Sequence, residues 1–395
     1  MENKTLRILL YLGKFPGYGF DVDGGSILAK QLIDSLKSYS KLDVVFIRKN
    51  KEEYHDEFVN SVRYVEYKYA KENKFFRRLN NLDTNREAIG DFTQYDCIIT
   101  AHVSKFFGLQ DLGNDFWGKT ILFPMFCTSS YKKAGENVPE EYTMHENYVI
   151  NKVNTIITPS HAEKEHLIED YKCNKEKIYV VNRGINPLFE PKKQDMSENI
   201  KQIIYVGSIK PQKNTIEALN LIKILNKSDE EYHLNLVGTV QDDNLMNECK
   251  KFIDQNKLEK YVSIYNELSQ EQLAKLFQKM DINISVSNWE TFGRGIFEGI
   301  QSGLPTFVPS RLTVVKNICD NNPGVMFSEN VEEMSRQIQE TCQNNDIYCY
   351  KKQCLPIIAE QVSYASERKI LTDIILNTCQ SVSYTHLRAH ETGRN

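Results

Sequence analysis

The chain has 395 residues, 41% of them hydrophobic and 26% charged, with a formal charge of −4. That length exceeds one ordinary core and predicts two domains, while the composition excludes fibrous and disordered classes. The slightly acidic balance excludes a dedicated nucleic-acid binder, and no apolar run approaches the ~20 residues of a membrane span.

The apolar run ILLYLG behind Lys4 and Arg7 is too short for a signal-peptide core. Nine scattered cysteines without C-x-x-C spacing predict buried thiols in a reducing, cytoplasmic setting. Strand-length apolar runs then alternate with amphipathic helical segments, the pattern of parallel sheets. In the first half the strands are 6–12, 42–47, 63–67, 97–101, 120–124, 154–160 and 177–181. After the first of them comes GYGFDVDGG, residues 17–25. Asp21 and Asp23 have the look of a metal-holding carboxylate pair, whereas the glycines suit a loop that approaches a phosphate. Ile27, Leu28, Leu32, Ile33 and Leu36 share one face of the helix that follows. Ser160 is placed to cap the helix beginning at His161. The polar stretch 186–199, with two prolines and almost no periodicity, reads as a linker.

Beyond it the alternation restarts, with strands at 200–208, 233–238, 262–266, 282–287, 305–310 and 324–327. Helices are predicted at 214–225, 241–255, 270–280 and 330–341, the third with a Ser269/Gln272 capping box. The fold class is therefore α/β, two Rossmann-like doubly wound domains facing a central cleft where ligands belong. Their bounds are 1–186 and 187–358, followed by a helix at 359–380 packing back on the first domain. The run VSYTHLRAHET resembles one reading frame of a transposon-end sequencing adapter, so 381–395 is read as a non-native tail.

The densest constellation is SNWETFGRGIFEGIQSGLP, residues 287–305. It follows a strand, opens a helix at about Phe292 and ends that helix with Gly303-Leu304-Pro305. Glu290 then stands beside the free N–H groups of Phe292, Gly293 and Arg294, which with the helix dipole form an anion site. Gly293 and Gly295 let a ligand reach the backbone, and Glu298 lies about two turns further on. Taken alone, the two glutamates also fit a helix cap and a solvated side chain.

This segment resembles the signature of the retaining two-Rossmann-domain glycosyltransferases, group 1 or family 4, and the likeness extends over nearly the whole chain before the tail. The resemblance implies the GT-B architecture, with Glu290 bonding the donor sugar and Glu298 accepting from the ribose hydroxyls. YVGSIKPQKN, residues 205–214, resembles the family's strand–loop–helix segment usually written G-R-x-x-x-x-K-G. It implies that Gly207 ends the strand and that Lys213, at the helix start, neutralises the departing diphosphate. Ser208 stands where the family usually has Arg, leaving Lys210 as the second cation. YVSIYNELSQEQLAKLF resembles the segment beside the nucleobase, read through backbone near Asn266 and Leu268, with Asn266 in place of the usual Gly. Arg183 to Asn186 occupy the family's N/R-G-V-D turn.

In the first domain, Gly24 and Gly25 fit the family's glycine pair before a helix, facing the donor phosphates. Enzymes of this type hold the leaving diphosphate with protein cations and helix ends, so no metal and no cofactor is expected at Asp21 and Asp23. His102 either substitutes for the family's cleft histidine or is a structural hydrogen-bonder, in which case a backbone carbonyl or Thr128 takes the role. The stretch 68–81 interleaves basic and aromatic residues and offers either a solvated helix face or peripheral contact with an anionic membrane surface. The resemblance implies transfer of a hexosyl group from a nucleotide-diphosphate sugar to a hydroxyl acceptor, glycan or lipid-linked, with retention. The alternatives are a sugar-nucleotide epimerase of the same fold and a non-catalytic nucleotide-sugar-binding subunit.

Overall fold

The computed structural model describes residues 6–12, 24–38, 40–48, 61–66, 74–124, 127–133, 137–193, 196–197, 200–227 and 231–392. They form two compact units. One comprises the chain to Val181 together with Arg368 onward, and the other runs from Asn182 to Glu367.

The first unit is built on a parallel sheet of β1 (Leu6–Leu12), β2 (Ser40–Arg48), β3 (Ser61–Glu66), β4 (Cys97–Thr100), β5 (Thr120–Leu122), β6 (Thr155–Thr158) and β7 (Ile178–Val180). The strand order is β3-β2-β1-β4-β5-β6-β7. LRILLYL forms a central strand because alternate side chains feed two different cores. Ile8, Leu10 and Leu12 join Leu28, Leu32 and Leu36 of the helix Gly24–Leu36. Leu9 and Tyr11 join the aromatic cluster around Phe106, Phe107 and Tyr142 on the other face. The helix Tyr364–Thr392 places Leu371, Ile375 and Cys379 in the first of these cores. It runs on to Thr392, into the stretch read above as a tail.

The second unit carries a parallel sheet of β8 (Ile200–Val206), β9 (Glu231–Val237), β10 (Val262–Tyr265), β11 (Ile282–Ile284), β12 (Thr306–Pro309) and β13 (Val325–Ser328). Their order is β10-β9-β8-β11-β12-β13. Each sheet reverses its winding beside its first strand, at β1/β4 and at β8/β11. Open α/β sheets bind ligands outside the strand carboxyl ends at such a reversal.

Every predicted strand forms, with its ends moved by up to three residues. Ser160 caps the helix His161–Tyr171 by accepting from Glu163 N, and Ser269 and Gln272 make the predicted capping box. The stretch 186–199 is not a free linker among its described residues. Phe189 is fully buried edge-on to Phe277, and Lys192 Nζ lies 2.7 Å from the buried Asp281 carboxylate. The prolines break periodicity, but one aromatic and one ion pair bind the segment to the second unit. The chain passes between units earlier, at Val181–Asn182. Cys349 and Cys354 are half-buried free thiols, and the other cysteines are buried ones. Among the described residues no helix is long and apolar enough to cross a membrane.

Candidate functional site

The loops that follow β8 and β11, neighbours in the second sheet, leave from its carboxyl edge. The first makes a 3-10 turn, Pro211–Lys213, before the helix Thr215–Leu225 begins. Lys213 therefore precedes the helix and does not open it, because Asn214 takes a left-handed conformation (φ 52°) between turn and helix. The lysine's alkyl chain folds over Gly207, close enough that a Cβ there would stand 3.2 Å from its Cδ. Its Nζ reaches Glu290 Oε1 at 2.5 Å, with side chains 15% and 9% exposed. Ser287 Oγ donates to the same carboxylate oxygen at 2.7 Å, and Tyr205 OH lies 3.2 Å from Ser287 Oγ. The residues predicted to meet the diphosphate and the sugar separately are thus brought together.

The two loops are also tied through backbone. Asn288 N donates to Gln212 O at 2.9 Å, and Gln212 Nε2 donates to Trp289 O at 2.9 Å. Arg311, beyond β12, donates Nε to Ser287 O (3.1 Å) and Nη2 to Val286 O (2.8 Å).

The signature helix is Arg294–Gln301, two residues later than its sequence suggests. Gly293 is its N-cap with φ +86°, a conformation that strains any residue with a Cβ. Phe292 contributes no helical N–H. Its ring is 4% exposed and stacks on Phe297 at 4.5 Å, so it anchors the helix start in the core. The helix's own N–H groups therefore begin at Arg294. Gly295 serves packing: a Cβ there would stand 2.8 Å from Val206 Cβ and 2.9 Å from Val206 O at the end of β8. Asn283, buried in β11, donates to Ile296 O at 3.0 Å and fixes the helix on the sheet.

Glu298 is not solvated. It is 3% exposed, and burial pushes its carboxyl up to about 7, against the opposing pull of Arg294 and a hydrogen bond from Gln270. Gln270 opens the helix after β10, so the loop holding Asn266 (exposed) and Leu268 (half-buried) leads directly to Glu298's partner. Arg294 sends Nη1 to Gly184 O at 3.1 Å. Ser208 Oγ accepts from Thr239 Oγ1 at 3.4 Å, and Lys210 is half-buried at the start of the 3-10 turn.

In the first unit, Gly24 and Gly25 are the first two residues of the helix Gly24–Leu36. Asp21 and Asp23 lie outside the described residues. His102 has a capping role: its Nδ1 accepts from Ser104 N at 3.1 Å and starts the short turn Val103–Phe106. Burial, then Arg78 and Lys105, hold its pKa well below the usual histidine range. Thr128 donates from N to the buried Glu146 carboxylate at 3.1 Å, and its hydroxyl bonds the same group. Of the basic–aromatic stretch, 68–73 lie outside the described residues. Phe75 is buried against Tyr142, and Phe76 is 49% exposed. Sequence reasoning missed Ser287, Gln270, Tyr205 and Arg311. The signal for Ser287 was its place three residues before Glu290; the other three carried none.

Residues 22–188 match the domain described as Glycosyltransferase Family 4, and residues 188–353 the domain described as Glycosyl transferases group 1. A mannosylfructose-phosphate synthase of Agrobacterium fabrum is 22% identical over 183 residues, 43% of this chain and 40% of that protein. The chain thus spans about two fifths of that curated relative's length. The sucrose-phosphate synthase of Thermosynechococcus elongatus superposes with a TM-score of 0.76 at 15% identity, covering 98% of this chain and 100% of that one. HepE of Anabaena, solved with UDP and glucose, superposes at 0.71 with 14% identity, covering 94% and 100%. At these identities the structural likeness is one of fold. Matched by the two domains in succession over residues 22–353 and sharing the two-sheet architecture of these neighbours, the chain belongs to the group 1 and family 4 glycosyltransferases of GT-B fold.

Proposed function

We propose that this glycosyltransferase moves a hexosyl group from a nucleotide-diphosphate sugar to a hydroxyl acceptor on a glycan or lipid-linked saccharide, in the cytoplasm and with retention at the anomeric carbon. The observation that carries the reading is the convergence of Lys213, Glu290 and the start of the helix Arg294–Gln301 at the carboxyl edge of β8 and β11. In this reading the diphosphate takes the helix's free N–H groups and draws Lys213 from Glu290, which turns to the sugar hydroxyls. Buried Glu298 accepts from the ribose hydroxyls. Leaving-group charge is met by protein cations and dipoles, so no metal and no cofactor enters.

No side chain is assigned as nucleophile. Retention then follows from attack on the face the diphosphate leaves, the departing phosphate oxygen taking the acceptor's proton. HepE's complex with UDP and glucose is consistent with a nucleotide-sugar donor. Incubation with a panel of nucleotide sugars, with and without acceptor, tests the proposal. Acceptor-dependent release of nucleotide diphosphate and an anomeric coupling that matches the donor's are expected. Conversion of the donor to an isomer without acceptor identifies an epimerase, and binding without turnover identifies a non-catalytic subunit.

A further inference from the structure

Gly184 is bonded on both sides of its backbone. Its N–H donates to Glu367 Oε2 at 2.8 Å, and its carbonyl accepts from Arg294 Nη1 at 3.1 Å. Glu367 is 2% exposed, and its Oε1 stands 3.7 Å from Nη1 of Arg183, itself 7% exposed. A Cβ on Gly184 would come within 2.8 Å of both Glu367 Oε2 and Tyr364 Cα, so this close approach admits only glycine. The neighbouring Ile185 bridges to Ser363 and donates from N to Val362 O at 2.8 Å. Residues 183–185 are thereby stitched to 362–367.

Arg294 links this stitching to the donor helix. It is that helix's first residue, and Glu298 follows one turn later. Burial disfavours the charge on Glu367, while Arg183, the Gly184 N–H and Arg294 favour it. Burial likewise disfavours the charge on Glu298, and Arg294 and Gln270 oppose that effect. Arg294 thus acts on two buried carboxylates, one at the ribose position and one outside it. A buried charge network is a poor source of stability, so its presence here points to orientation.

We propose that Glu367 and Arg294 are positioning residues for nucleotide binding: Glu367 holds the Gly184 peptide, that peptide holds the Arg294 guanidinium at the helix start, and Arg294 keeps Glu298 competent to accept from ribose. This rests on the donor reading above. Neither side chain touches the nucleotide in this scheme.

The test is calorimetric titration of the full chain with UDP, GDP and ADP in turn, from about pH 6 to about pH 9, with thermal melts to confirm folding. At pH 7, E298A and R294Q are each expected to raise Kd about tenfold, but only R294Q to recover toward wild type near pH 9. Loss of the cation leaves Glu298 in place and merely moves its ionisation to higher pH. E367Q keeps an acceptor for the Gly184 N–H and loses the charge, with an expected rise in Kd of about three- to fivefold. The R294Q/E367Q double variant binds no more weakly than R294Q, because both act through one path. Folded R294Q and E367Q proteins with wild-type Kd and pH profile, beside an impaired E298A, overturn the proposal alone. Strictly additive losses in the double variant also overturn it. Wild-type affinity in E298A, or no binding of any of the three nucleotides by the wild-type chain, overturns the donor reading and this proposal with it.

Discussion

Replacing Lys213 with methionine removes the ammonium 2.5 Å from Glu290 Oε1 and leaves a carboxylate that is 9% exposed. Breaking a fully buried ion pair costs about 3–5 kcal/mol. Here Ser287 still donates to Glu290 at 2.7 Å, and a hydrogen bond to a charged group recovers roughly 1.5–3 kcal/mol. The net loss of stability in K213M is therefore about 2 kcal/mol, or about 4–8 °C in Tm for a unit of this size. E290Q is milder, about 1 kcal/mol, because the freed lysine is flexible and 15% exposed. The K213M/E290Q protein leaves no unpaired buried charge and melts close to E290Q, a coupling of about 1–2 kcal/mol. All three variants consume donor at least about tenfold more slowly, on the order of 1.4 kcal/mol in barrier. Thermal melts of the set and a nucleotide-release assay supply both readouts. A double variant as unstable as the sum of its parents refutes the pairing, and wild-type donor consumption by K213M refutes its role at the diphosphate.

Glu298 gives a pH prediction. Its carboxyl titrates near 7 in the fold and near ~4.3 unfolded, so the folded chain binds more protons between these values. Its ionisation then costs stability increasingly as pH rises through that window, to on the order of 4 kcal/mol above it. E298Q should melt above wild type at about pH 8, with the gain vanishing near about pH 4 in the same scan. Under the proposed ribose contact, binding favours the ionised form, so wild-type nucleotide affinity should fall about tenfold per unit below about pH 7 while E298Q shows no such slope; titration calorimetry reads this. G295A should force the helix off Val206, costing about 1–3 kcal/mol in a denaturant melt and weakening nucleotide binding. K192M should strip Asp281 of its partner 2.7 Å away, where the carboxylate also accepts from Ser197 N and Gln202 N. Those two donors offset part of the penalty, so we expect a loss of about 2 kcal/mol with little change in Kd for nucleotide.

Strand positions were legible because parallel strands buried on both faces read as apolar runs, as ILLYL of β1 does. Caps at Ser160 and Ser269 were legible because they use local chemistry alone. The start of the signature helix was not. Phe292 continues the apolar pattern, and only its stacking on Phe297 shows that it packs ahead of the helix. Gly295 read as a place for a ligand, whereas the neighbour that needs the room is Val206, far away in sequence. The segment 186–199 looked like a linker because Lys192 and Phe189 find their partners at Asp281 and Phe277, which no local pattern reveals. His102 followed a strand end as a ligand-facing residue would, and its Nδ1 is engaged by the turn it begins. The mutual pairing of Lys213 and Glu290 was hidden for the same reason: they sit on different loops, and each was read against a ligand alone.

The ties between the loops after β8 and β11 bear on how donor preference changes between relatives. Asn288 N donates to Gln212 O, Gln212 Nε2 donates to Trp289 O, and Lys213 and Glu290 close the ring. Each loop is expected to lose part of its shape when its counterpart is replaced. Grafting residues 207–214 from another enzyme of the group should therefore yield a poorly behaved chimera. Transplanting 207–214 and 285–293 together should carry the donor preference across intact. On the proposed donor reading, substitutions in one segment constrain which substitutions the other can accept.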